Sequence, residues 1–200
     1  MTAAGDSRRV PAREGRSESR ERGSRFLAFA FRAPSEEAAR TRVLALEKEF
    51  HDATHVCFAW RIGSVRRAAD AGEPAGTAGK PILSAIDAAE VDEAAVAVVR
   101  WFGGTKLGTA GLARCYREAA RAALAAAGSE EIFERDDFEI ETGYENVSAV
   151  RRLVDPPSVV LADESFTDRA RFRLSVRRSR AAGIQRALEE ARIAFRRPRP

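Results

Sequence analysis

Two glycine-rich turns, acidic groups in one and basic groups in the other, constrain this chain more than any other feature of its sequence. The first runs Asp70-Ala71-Gly72-Glu73-Pro74-Ala75-Gly76-Thr77-Ala78-Gly79-Lys80-Pro81. The second runs Arg100-Trp101-Phe102-Gly103-Gly104-Thr105-Lys106-Leu107-Gly108-Thr109-Ala110-Gly111. Glycine admits positive φ and lets another surface approach the main chain. Each segment precedes a stretch with helical periodicity, so free backbone N–H groups are expected to point out of both turns.

Around these turns the apolar pattern predicts alternating strands and helices. Arg25–Arg32 reads as a strand, and Ser35 caps a helix carrying Val43, Leu46 and Phe50. His55–Ile62 is apolar on both parities and reads as a buried strand, as does Ala94–Trp101. Pro81 suits the first turn of a helix bearing Ile82, Leu83 and Ile86, and Gly128 stops a long alanine-rich helix that follows the second turn. After Ser129 the order is strand (137–142), helix (144–154), strand (158–162), strand (169–177), helix (179–192) and strand (193–196), the ferredoxin-like β-α-β-β-α-β unit. In that unit the first and third strands are antiparallel neighbours. Asp137, Glu139 and Glu141 would then face Arg169, Arg171 and Arg173 as a ladder of opposite charges. The fold class is α+β: a disordered basic arm over residues 1–24, an N-terminal β-α domain over 25–128 and a ferredoxin-like domain over 130–197.

The chain carries a net charge of +4. Its ends hold that charge: residues 1–25 amount to +3 and residues 192–200 to +4, so the body between them is acidic. Lys48, Lys80 and Lys106 are the only lysines among 34 basic residues. Such an arginine and alanine bias is compositional, and global charge alone does not imply a polyanion partner. No apolar run reaches the roughly 18–20 residues a membrane span needs. Cys57 and Cys115 make no disulfide framework and have no metal-ligand spacing, which suits a reducing cytoplasm.

The second turn is the stronger candidate site. Gly103, Gly104, Lys106 and Gly108 precede a helix N-terminus as a phosphate cradle would, with Arg100 at the end of a strand and Arg114 further along. It lacks the Gly-Lys-Ser/Thr order of a Walker A motif. In the first turn Asp70, Gly72, Glu73, Gly76, Thr77 and Gly79, with His55 nearby, form a candidate ligand loop. A divalent cation at Asp70 and Glu73 is the one cofactor this spacing raises, and the reading adopted has no cofactor, no metal and no catalytic residue. His55 is either a general base or a histidine satisfied at a strand edge.

At these turns the sequence closely resembles the IMPACT family. The matching segments are Gly23-Ser24-Arg25-Phe26, Ala53-Thr54-His55-Val56-Cys57-Phe58-Ala59, the two turns themselves, and Gly111-Leu112-Ala113-Arg114-Cys115-Tyr116. The chain departs from the family pattern at Ala71, where a second aspartate is usual, at Trp101, where a tyrosine is usual, and at Ala110, where a glycine is usual. The first departure weakens a metal site, and the second removes a phenol. The resemblance implies an N-terminal domain like domain four of elongation factor G, followed by a ferredoxin-like domain. It also implies a link to translation, since eukaryotic relatives regulate it. The expected function is a non-enzymatic RNA- or ribosome-associated protein, in which Arg100, Lys106, Arg114 and the glycine backbone hold phosphates. The alternatives are a phosphate-substrate or metal-dependent enzyme using the two glycine-rich turns and a protein-interaction module, with a translation-related protein as partner. Oligomeric state is not set by the sequence.

Overall fold

The computed structural model describes residues 6–198. It divides into a unit of Arg8–Glu131 and a unit running from Ile132 onward together with the described residues up to Ser7.

The first unit is built on a five-stranded antiparallel sheet of β2 (Gly15–Glu21), β3 (Ser24–Arg32), β4 (His55–Ile62), β5 (Val65–Ala69) and β6 (Ala94–Trp101), ordered β2-β3-β6-β4-β5. Helix α1 (Glu36–Glu49) covers one face, while α2 (Gly79–Ala88) and α3 (Gly108–Ala127) cover the other. Burial on both faces explains why the inner strands are apolar throughout. Along β3, Leu27, Phe29 and Phe31 meet Val43 and Leu46 of α1, whereas Phe26, Ala28 and Ala30 join the cluster of Ile82, Ile86, Tyr116 and Ala120. Small alanines on the second face leave room for two helices. Ser35 Oγ accepts from the Ala38 N–H at 3.2 Å, the expected cap.

The disordered arm proposed over residues 1–24 is corrected wherever it falls within the described residues; its residues 1–5 lie outside them. Ser7–Pro11 forms β1, which pairs with β7 (Ser129–Phe133), and Gly15–Glu21 forms β2, paired residue for residue with β3. The reason is positional. β2 is an edge strand whose polar side chains give no apolar period, and charge on an edge discourages further pairing. Its order comes from the backbone ladder, from Ser17 Oγ donating to the Ala119 carbonyl at 2.8 Å, and from an Arg25–Glu18 ion pair at 2.9 Å. The hairpin strand β5 escaped the sequence pattern for the same reason.

The second unit contains β8 (Arg135–Thr142), a 3-10 turn at Tyr144–Asn146, α4 (Val147–Arg151), β9 (Val159–Phe166), β10 (Ala170–Arg177), α5 (Arg178–Glu190) and β11 (Phe195–Arg196). Its sheet order β11-β8-β10-β9 is the ferredoxin-like arrangement. The first helix is shorter than its pattern predicts. Phe138, Ile140, Phe172 and Leu174 pack with Ile184 and Leu188 of α5. The opposite face carries the charge ladder at two of its three expected rungs, Arg171 opposite Glu141 and Arg173 opposite Glu139, while Asp137 faces Ser175 and Arg169 lies beyond the paired register. Arg171 Nε approaches Glu141 Oε2 at 3.0 Å, while Arg173 turns instead to Asp163 at 4.0 Å.

Exposed cross-strand pairs contribute little individually. A double-mutant cycle on Arg171→Ala and Glu141→Ala, read by urea unfolding, is therefore expected to give a coupling of about 0.2–1 kcal/mol that shrinks in high salt.

Candidate functional site

The two turns meet through a buried ion pair. Arg100 is next to last in β6, with Phe26 and His55 as its neighbours on either side. Its parity directs it to the α2/α3 face, where it is only 4% exposed. There Arg100 Nη1 donates to Glu73 Oε1 at 2.5 Å, and Nη2 donates to Ser24 Oγ at 3.2 Å. Tyr116, projecting from α3, donates its hydroxyl to the same Glu73 oxygen at 2.7 Å. Cys57 Sγ lies 3.3 Å from that hydroxyl and 3.0 Å from the Asp70 carbonyl. Burial raises both acids of this last pair: the Cys57 thiol is pushed up to about 12, and the Tyr116 phenol is raised further above its ordinary value. Neither ionises near neutrality, so the charge of the cluster belongs to Arg100 and Glu73.

This geometry corrects the expectation that Arg100 faces a ligand. The base from one turn neutralises the acid from the other, and both are withdrawn from solvent. Phe26 closes the cluster, its ring edge-on to Tyr116 at 5.3 Å and beneath the Arg100 guanidinium at 5.4 Å.

The first turn is likewise satisfied from within. One Asp70 oxygen accepts from the Ala78 and Gly79 N–H groups at 2.9 and 2.8 Å, and the other accepts from Gly76 at 2.7 Å. The N–H groups expected to point outward at the start of α2 are therefore held by an internal carboxylate. Desolvation by itself would raise the Asp70 carboxyl; the three N–H donors and Lys80 together hold it below its ordinary value. Thr77 Oγ1 donates to the Pro74 carbonyl at 2.6 Å. His55 Nδ1 sits 2.9 Å from the Ala71 carbonyl, which can only accept, so this nitrogen carries the proton. Its Nε2 lies 4.0 Å from Glu73 Oε2. Gly72, at φ +89°, passes directly over the histidine ring, where a Cβ would come within 3.1 Å of Nδ1. Asp70 thus accepts from three backbone N–H groups, and Glu73 Oε1 accepts from both Arg100 and Tyr116. Among the described residues no three His, Cys, Asp or Glu side chains group as metal ligands.

The second turn splits into an anchored base and an open tip. At the base, Phe102 N donates to Thr54 Oγ1 at 2.9 Å and Gly103 N to Ser24 Oγ at 3.2 Å. Gly103 owes its identity to packing: a Cβ there would fall 1.8 Å from the Gly23 carbonyl carbon. At the tip, Gly104, Lys106 and Gly108 are exposed. Helix α3 begins at Gly108 and no side chain caps it, in contrast to α2. Lys106 makes no ion pair or side-chain hydrogen bond among the described residues. Arg114 is exposed but shares its charge with Glu21 and Glu118, each at 3.3 Å. Beside the tip, the ring of Phe102 is 46% exposed.

Of the site residues expected from sequence, the structure thus gathers His55, Asp70, Glu73 and Arg100 into or against a sealed cluster. It leaves Gly104, Lys106 and Gly108 together in the open. Ser24, Cys57 and Tyr116 were missed as cluster members, and Phe102 as an exposed ring. Their signal lay in the family segments Gly23–Phe26, Ala53–Ala59 and Gly111–Tyr116 rather than in any chemical spacing.

A family model described as the Impact N-terminal domain matches residues 22–124. An IMPACT family member of Haemophilus influenzae is 34% identical over 148 residues, covering 72% of this chain and 72% of the relative. Another, from Thermus thermophilus, is 39% identical over 151 residues, covering 76% of this chain and 83% of the relative. A crystal structure of a hypothetical protein matches with a TM-score of 0.71 at 25% identity, over 96% of this chain and 97% of that one.

Two stability experiments follow. Arg100→Ala strands the Glu73 carboxylate in the interior and is expected to cost about 3–5 kcal/mol in urea unfolding, whereas Lys106→Ala stays within about 0.5 kcal/mol. The Asp70 carboxyl, lowered by folding from its ordinary 3.8, contributes stability that is fully present above that value and is lost as pH falls through the lower folded value. Asp70→Asn should therefore flatten this part of the acid limb of a stability–pH profile and lower stability at neutral pH.

Proposed function

The chain belongs to the IMPACT family, and from that premise and the open tip of its second turn we propose that it is a non-enzymatic protein that binds RNA, free or within the ribosome, in connection with the regulation of translation. The observation that carries this reading is the convergence at one turn of an unpaired cation, an uncapped helix start and an exposed ring. Lys106 offers a point charge to a phosphate. The N–H groups at the start of the 20-residue α3 add donors and the positive end of the helix dipole. Phe102 offers a face on which a base can stack.

Arg100 moves from ligand to support in this reading. Its pairing with Glu73 and Ser24 fixes the base of the turn, and Gly103 docks against Gly23, so the tip is presented on a stiff mount. Arg114 and the basic chain ends add long-range attraction that salt screens. The reading calls on no cofactor and sets the protein in the cytoplasm, where Cys57 and Cys115 remain free thiols. No described helix is long and apolar enough to cross a membrane. An enzyme built on Asp70 and Glu73 is disfavoured, because both carboxylates are occupied by protein donors.

Fluorescence anisotropy with labelled single-stranded RNA, paired with ribosome co-sedimentation, separates the contributions. Lys106→Ala should weaken binding and reduce the slope of log K against log salt by about 1. Phe102→Ala should weaken it by about 1–3 kcal/mol for each stacked base while leaving the slope unchanged. Wild-type affinity in both variants would overturn the assignment.

A further inference from the structure

A groove of about 450 Å³ runs between α2 and α3, on residues that the RNA reading does not use. Its floor is apolar and shallow: Ala85, Val91 and Leu124 are buried beneath it, and Ala88 and Ala125 stand at its surface. Its rim carries three arginines, Arg9, Arg117 and Arg121, and no carboxylate lines it. Arg9 is held in place, with its Nη2 donating to Ser129 Oγ at 2.7 Å and its carbonyl accepting from the Asp92 N–H at 2.7 Å.

Arg117 and Arg121 lie one turn apart on α3, and neither makes an ion pair or side-chain hydrogen bond among the described residues. Like charges at that spacing repel. The neighbouring acid on the helix, Glu118, is taken by Arg114. Arg25, Arg42, Arg171 and Arg178 each meet a carboxylate, whereas Arg117 and Arg121 stand unpaired among the described residues over an apolar floor.

We propose that this groove docks an acidic amphipathic helix of a protein partner. Apolar side chains on one face of that helix would rest on the alanine floor, and flanking carboxylates would reach Arg9, Arg117 and Arg121. Charge complementarity selects an anionic occupant, because three cations surround a site with no acid of its own. The floor selects a peptide over RNA. It offers small aliphatic groups that admit a leucine or the approach of a helix, and it has no aromatic ring on which a base could stack.

The test uses the full chain and fluorescence anisotropy with a labelled peptide of glutamates bearing leucines at helical spacing. The controls are a leucine-free polyglutamate of the same length and single-stranded oligouridylate. The parent protein is expected to bind the leucine-bearing peptide about tenfold more tightly than the leucine-free one. R117A/R121A should lose about tenfold in affinity for it, and A88W, which fills the groove, should lose at least as much. All three positions are exposed, so Tm should be retained; R117Q/R121Q serves as a second charge-neutral variant with more of the side chain kept. Oligouridylate binding should be unchanged in R117A/R121A. Equal affinity for the two peptides, full binding by both arginine variants, or displacement of the peptide by oligouridylate at matched charge would each overturn the proposal.

Discussion

An arginine and a glutamate can both stay charged inside a protein only if they meet and if other donors and acceptors satisfy what remains of them. In this chain that requirement joins Arg100 at the end of β6 to Glu73 in the turn after β5. Tyr116 of α3 and Ser24 of β3 add hydrogen bonds to it, with Arg100 Nε left buried and unpartnered, so four separate stretches of chain converge on one pair of charges. The positions of both glycine-rich turns follow from it. Moving either turn would leave a buried charge alone, which costs more than any exposed contact nearby. The pair itself adds little net stability over an apolar equivalent. Its contribution is to fix which turn lies against which strand.

Asp70 gives the first turn its own version of the same logic. Three N–H groups that would otherwise need a ligand or water are closed by one carboxylate, and α2 begins already capped. Helix α3 has no such residue. The difference separates two segments that look alike on paper: one is a finished structural corner, the other an open helix start beside an unpaired lysine. Both binding surfaces proposed above lie where internal partners are missing, at the tip of the second turn and at the arginine couple on α3.

How much the sequence revealed depended on whether the deciding partner was local. The Ser35 cap, the Gly128 stop and the inner strands β3, β4 and β6 rest on short-range pattern, and they stand where the pattern puts them. The facing of Arg171 and Glu141 was predictable because topology and period two together determine it. By contrast, β1, β2 and β5 are polar edge strands defined by a backbone ladder, which leaves no apolar trace. The Glu73–Arg100 pair escaped as well. Acid in one turn and base in another suggest a ligand between them just as readily as a bond, and only tertiary structure shows that their separation has closed. Phe102 was read as part of a turn, since exposure of an aromatic ring cannot be deduced from its neighbours in sequence.

Cys57 offers a consequence of the sealed cluster. Its thiol is inaccessible, hydrogen-bonded and kept protonated, so neither an oxidant nor an alkylating reagent can reach a thiolate there while the sheet is closed. Labelling of this sulfur must wait for the packing around Tyr116 and Glu73 to come apart. The residue is thus a natural clock for that event, and its modification rate under native conditions reports how often the junction of the two turns opens.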